Sequence, residues 1–203
     1  MDRSPVTIRP ARPDLEEGRA FARYLDETAE GFIRFMYGPG YEEIIAGAFV
    51  KPGNEYSSRN AVFAERGGEI VGMASGFTAL QRASFSGEWL KDVKGAAALR
   101  IRLVKMLFAP IIRIIETISP EDFYILAAAV DRDSRGLGIG TILLDAMEDR
   151  AREAGSRRLA LDVAHSNTGA RRLYERRGMY VESQWPKRLA ISRLRFYRMI
   201  KLL

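Results

Sequence analysis

The feature that most restricts the fold is a run of eight apolar residues at 123–130, Phe-Tyr-Ile-Leu-Ala-Ala-Ala-Val. It leads five residues later into Arg135-Gly136-Leu137-Gly138-Ile139-Gly140-Thr141. A strand apolar on both faces belongs in the interior of a sheet, covered above and below. Past the glycines, Leu143, Leu144, Met147, Ala151 and Ala154 recur at helical spacing, and Gly155 ends the expected helix 141–154 as a C-terminal cap. Buried strand, glycine loop and amphipathic helix in succession predict an α/β chain organised around this unit.

The flanking sequence adds elements on both sides. A short β-rich start at 6–9 precedes Pro10 and Pro13, and Asp14 is the N-cap candidate of a half-exposed helix over 15–28. A second helix is expected over 41–49, between the breaks Gly38-Pro39-Gly40 and Lys51-Pro52-Gly53-Asn54. Residues 61–65 and 70–77 flank Arg66-Gly67-Gly68-Glu69, whose paired glycines supply the positive φ angles of a tight hairpin. Downstream come a strand at 158–164, a helix over 167–177 stopped by Gly178, and strands near 180–184 and 194–202. The segment 78–122 is too long for a hairpin loop, so it needs structure of its own. Arg102, Lys105, Ala109, Arg113 and Glu116 mark one polar stripe of an expected helix, and Pro110 is expected to kink it or split it in two. The apolar remainder reads as an extra helical layer packed on the sheet or on a second subunit, which leaves a homodimer open. One domain, 1–203, with a helical insertion at 78–122, is the expected organisation.

Composition excludes several chemistries. The sequence has no cysteine and one histidine, His165, so disulfides, thiolate nucleophiles and an ordinary zinc site all lack their ligands. The longest apolar stretch, 99–118, is interrupted by Arg100, Arg102, Lys105, Arg113 and Glu116 and does not read as a membrane span. The N-terminal residues show no secretory pattern, and a cytoplasmic location is expected. A net charge of +6 suits any anionic partner, but the arginines are dispersed and no nucleic-acid-binding signature accompanies them, so nucleic acid is not expected as the ligand.

A glycine loop between a strand and a helix N-terminus aims several backbone N–H groups and the positive end of the helix dipole at one place, which binds anions. Arg135 adds a permanent cation. Two nucleotide motifs fail on spacing. The dinucleotide fingerprint would need glycine at Thr141 or Leu143, and a phosphate-binding loop would need Gly-Lys-Ser/Thr. Asp162, at the end of the next strand, would suit a ribose-binding acid and keeps a dinucleotide in view.

Here the sequence resembles the GCN5-related N-acetyltransferases (GNAT). Their acyl-CoA loop, [Q/R]-x-x-G-x-[G/A] after a strand ending in Val, is matched by Val130, Arg135, Gly138 and Gly140. A second signature, N-x-x-A-x-x-x-Y-x-x-x-G-[F/M], is matched by Asn167, Ala170, Tyr174, Gly178 and Met179. The resemblance implies an α+β fold: a mixed, mostly antiparallel, splayed sheet of about seven strands with helices on both faces. It implies acetyl-CoA as acyl donor and a small-molecule or peptide amine as acceptor. Pantetheine would lie along Ala129 and Val130 and touch Asn167. Amides from Arg135, Gly136, Leu137, Gly138, Ile139, Gly140 and Thr141 would hold the pyrophosphate, and Tyr174 would be the general acid.

The expected strand 123–130 carries no carboxylate to act as general base. Glu30, His165 and a water relay are the candidates. Phe32, Phe35, Tyr37 and Tyr41 are candidates to line an acceptor pocket, with core packing as the alternative. A non-catalytic acyl-CoA-binding module and a basic helix lying on a membrane surface are the competing readings.

Overall fold

The computed structural model describes residues 4–186 and 195–203, and the side chains of these except at 110–116. Its strands are β1 (Thr7–Pro10), β2 (Ala61–Arg66), β3 (Glu69–Thr78), β4 (Asp122–Val130), β5 (Arg158–Ala164), β6 (Tyr180–Trp185) and β7 (Phe196–Leu202). The helices are α1 (Leu15–Thr28), α2 (Phe32–Tyr37), α3 (Tyr41–Phe49), α4 (Ala79–Ser84), α5 (Gly95–Glu116), α6 (Ile139–Glu153) and α7 (Thr168–Arg176). Leu194, the expected first residue of the last strand, lies outside the described residues.

The strands form one seven-stranded sheet in the order β1-β2-β3-β4-β5-β7-β6. Every pairing is antiparallel except β4 with β5, so the apolar run expected at the centre is the central strand. The β2–β3 turn uses Gly67 and Gly68 at φ 57° and 85°, as the paired glycines require.

Strand alternation divides the core between the two faces. On β2, Phe63 packs with Phe21, Ile45 and Phe49 of α1 and α3, whereas Val62 and Ala64 pack with Leu143 and Met147 of α6. Asp14 caps α1 by accepting the Glu17 amide at 2.9 Å.

The segment 78–122 is helical, as expected, but α5 continues through Pro110 as one helix rather than two. It packs on α2 and joins the core cluster that includes Phe63 and Met73 of the sheet: Ile101 and Val104 are buried, and the Phe108 ring lies 5.4 Å from Phe32 and 6.0 Å from Phe35. Arg102 and Lys105 face solvent, but so do Leu99, Leu103, Met106 and Leu107. The exposed side of α5 is therefore mixed rather than a clean polar stripe. Arg113 and Glu116, also assigned to that stripe, have side chains outside the described set.

Candidate functional site

The site begins where β4 and β5 part. Their parallel pairing runs only from Asp122↔Arg158 to Ile125↔Leu161, while β4 continues to Val130 and β5 to Ala164. On the β5 side, residues 126–130 of β4 therefore lack a strand partner, and their polar groups face a gap. Two cavities meet there, sharing Thr28, Ala128, Asn167, Ala170 and Tyr174.

The first cavity, about 640 Å³, is built from the glycine motif. Asp131, just after β4, is held by the Tyr24 hydroxyl at 2.7 Å, which fixes the strand end against α1. The chain then turns through Gly136 and Gly138 at φ 78° and 83°, and Gly138 is the N-cap of α6. A Cβ at either glycine would meet no atom within 4 Å, so backbone conformation calls for glycine and the space over the loop is open. Gly140 differs: a Cβ there would lie 3.1 Å from Leu173, so it permits α6 to approach α7.

The amides sharpen the expected cradle. That of Arg135 donates to the Arg132 carbonyl at 3.3 Å, and that of Thr141 to the Gly138 carbonyl at 2.9 Å. The amides of Gly136, Leu137, Gly138, Ile139 and Gly140 have no backbone acceptor among the described residues. The free run is thus 136–140 rather than 135–141, five consecutive donors at the positive end of a 15-residue helix. The Arg135 guanidinium lies beside them, donating to the Val130 carbonyl at 3.0 Å and pairing with Glu27 of α1.

The second cavity, about 290 Å³, lies toward α1 and α2 and is lined by Phe32, Ile33 and Met36, among others. Of the four aromatics considered for an acceptor pocket, only Phe32 lines it. Tyr37 is core, Tyr41 packs against that core, and Phe35 is exposed under the Arg100 guanidinium.

Tyr174 lines both cavities. Five of the eight tyrosines are buried, and four of them have hydroxyl partners: Tyr24 with Asp131, Tyr37 with Tyr56, and Tyr124 with Asp162. The Tyr174 hydroxyl makes no hydrogen bond among the described residues, and burial alone pushes its pKa up to about 12. Asn167 caps α7 by accepting the Ala170 amide at 3.0 Å and faces both cavities.

Glu30 and His165 line neither cavity. Glu30 is exposed and accepts a hydrogen bond from Ser166 Oγ at 3.2 Å, and His165 is exposed with its ring 5.2 Å from Tyr197. The carboxylates that do line the cavities are Glu27, Glu55 and Asp162. Asp162 is no free ribose-binding acid: Arg198, its register partner on β7, holds both of its oxygens at 2.7 and 2.8 Å. Glu27 and Glu55 escaped the sequence reading. A helix-face glutamate and a loop glutamate carry no local mark of the cavity that distant elements form around them.

The sequence matches the model of the acetyltransferase (GNAT) family over residues 39–179. No curated protein matches it. Among solved structures, one described only as an acetyltransferase is 25% identical, with 97% of this chain and 98% of its own covered and a TM-score of 0.65. An N-acetyltransferase from Staphylococcus aureus Mu50 is 17% identical over 96% and 100% of the two chains, with a TM-score of 0.71. A ribosomal-protein-alanine N-acetyltransferase from Brucella melitensis is 18% identical over 97% and 99%, with a TM-score of 0.58. The last two likenesses concern the fold.

Proposed function

Since the chain belongs to the acetyltransferase (GNAT) family, we propose that it transfers an acetyl group from acetyl-CoA to an amine, with both substrates bound together and no covalent enzyme intermediate. The observation that carries the reading is the run of five free amides at 136–140, placed where the unpaired edge of β4 meets the cavity holding an unpartnered tyrosine hydroxyl.

The residues present fit such a donor. Free amides and the α6 dipole suit a pyrophosphate, and open space above Gly136 and Gly138 admits its oxygens. The edge at 126–130, Ala129 and Val130 included, offers backbone groups to the amide-bearing pantetheine arm. Asn167 spends its side-chain oxygen on the helix cap, which leaves its NH₂ for that arm. When bound, the donor supplies a thioester whose C–S bond is the one to break.

The reaction forms a C–N bond between the acceptor nitrogen and the acetyl carbon. The sulfur leaves, and the proton lost by the amine balances the one gained by the thiol. Tyr174, whose pKa burial raises further above neutrality, is a protonated hydrogen-bond donor to the departing sulfur. With its pKa near 12, full transfer of the tyrosyl proton to a thiolate of pKa about 8.5 is uphill. The hydroxyl therefore acts by donating a hydrogen bond and relaying a proton, not by remaining ionised. Of the three candidates for accepting the amine proton, neither Glu30 nor His165 reaches the cavities, which favours the water relay.

We take 1–203 as one acetyltransferase domain with 78–122 as an insertion whose helix α5 braces α2. Release of free thiol from acetyl-CoA, followed against a panel of amines, tests the reading. Amine-dependent release is expected, and its absence with every amine would count against catalysis.

A further inference from the structure

The cavity beside α1 and α2 is chemically lopsided. At about 290 Å³ it is at the small end of ligand sites. Leu25, Ile33, Met36, Phe77 and Leu126 contribute an apolar wall, and three charged residues join them: Glu55, Arg82 and Asp162. Asp162 is neutralised by the two bonds from Arg198, and the Tyr124 hydroxyl donates to it at 3.0 Å. Arg82 has a partner of its own.

Glu55 is different. It is half-buried, and its carboxylate has no ion pair or hydrogen bond among the described residues. The loop that carries it is fixed, because buried Asn54 donates to the Ala48 and Lys51 carbonyls at 3.0 and 2.9 Å and Asn60 donates to the Asn54 carbonyl at 2.9 Å. Beside it Tyr37 and Tyr56 share a hydrogen bond of 3.1 Å. Burial, with the Glu55 charge as a smaller contribution, raises the pKa of both phenols. Among the described residues the carboxylate forms no ion pair, although Arg82 lines the same cavity.

Resting on the acyltransfer reading, we propose that the acceptor is a small amine with an apolar or aromatic body and that Glu55 recognises its ammonium group. A half-buried carboxylate without a cation gains most from a charge-assisted contact with a ligand that brings one. The apolar wall favours hydrocarbon in the rest of the acceptor. A polyamine would set its further cations against Phe77 and Leu126, and a peptide N-terminus would leave its amide groups there without partners.

The test uses the full chain carrying Trp185→Phe, so that Trp89 is the single tryptophan. Trp89 is buried with its ring 5.4 Å from that of Tyr56, which lines the cavity, and its fluorescence reports amine entry. With acetyl-CoA present, rates are compared for 2-phenylethylamine, ethanolamine and spermidine, in this background and with Glu55→Gln or Glu55→Asp added. The expected kcat/KM for 2-phenylethylamine exceeds the other two by at least about tenfold. Glu55→Gln should raise KM and the Trp89 half-saturation concentration by about tenfold, and Glu55→Asp should keep most of the affinity. Preference for spermidine or ethanolamine, or an unchanged KM and Trp89 response in Glu55→Gln, overturns the proposal. Absence of acetyl-CoA binding would instead defeat the acyltransfer reading, and the Trp89 titration without donor would still report on Glu55.

Discussion

Glu27 and Arg135 form an ion pair across the rim of the glycine loop, joining α1 to the only arginine in the motif. Both side chains are about half exposed, so in isolation the pair contributes on the order of 0–1 kcal/mol. Its consequence lies in competition, because the carboxylate occupies the guanidinium that an anionic donor would use.

Glu27→Gln is accordingly expected to tighten acetyl-CoA binding about twofold to fivefold at low salt. Arg135→Ala should weaken it about tenfold, with a shallower dependence on salt. Titration calorimetry at two ionic strengths checks both, and a weaker affinity in Glu27→Gln would show that Glu27 helps to position Arg135 instead of competing for it.

Tyr174→Phe separates catalysis from folding more cleanly than most substitutions of a buried tyrosine. The hydroxyl has no partner to lose, so thermal stability should hold or rise slightly. Turnover should drop by about 10- to 100-fold while the acetyl-CoA Kd stays within about twofold. Tyr124→Phe provides the contrast, since it removes the hydroxyl that Asp162 accepts from and should cost about 1 kcal/mol of stability. Unchanged turnover in Tyr174→Phe would remove the proton-relay role.

Much of this site was legible because its determinants are local. Gly136, Gly138 and Asn167 act within a few residues of themselves, through a positive φ or a cap, and spacing alone reveals such residues. The boundaries of α1 and α3 were legible for the same reason: Asp14 and the Gly-Pro-Gly break are local signals. The start of α6 was displaced by two residues, because the left-handed Gly138 lets the helix begin at Ile139. Helix α2 was missed altogether. Its six residues are too few to show a period, and it starts after Glu30 and Gly31, both at positive φ. Of the two effects expected of Pro110, the split did not occur, since the 22-residue helix continues through it. Glu27 and Glu55 were illegible as cavity residues because α1, α2, β4 and α6 have to assemble before either has an environment.

Alkaline pH should expose the buried phenols as a group. Tyr24, Tyr37, Tyr56, Tyr124 and Tyr174 all have pKa values raised by burial, so the folded chain holds protons that the unfolded chain releases near pH 10. Their contribution is level below about pH 10 and is lost as the pH rises toward and past 12. Ultraviolet titration should therefore show these five tyrosines ionising together with unfolding. Smooth ionisation of all eight before unfolding would contradict the buried assignments.

Asp162→Asn should be among the most destabilising single changes outside the apolar core. Arg198 is buried and spends two hydrogen bonds on this carboxylate, so neutralising Asp162 removes the counter-charge that both bonds reach, at a cost of about 3–5 kcal/mol. Chemical denaturation measures this directly, and a loss below about 1 kcal/mol would mean that the pair is solvated. Gly18→Ala offers a control remote from the glycine loop. A Cβ there would lie 2.8 Å from Ala46 Cα, so α1 and α3 must separate, and about 1–3 kcal/mol should be lost.

The central claim is that residues 136–140 hold the phosphates of acetyl-CoA, and calorimetric titration of acetyl-CoA into the full chain tests it most directly. Saturable one-to-one binding with a Kd on the order of 10 μM is expected, weakened at least about tenfold by Gly138→Val, which places a branched side chain where φ is positive and the cradle is open. No binding by the unmodified chain at about 1 mM acetyl-CoA, or equal affinity in Gly138→Val with its fold intact, would contradict it.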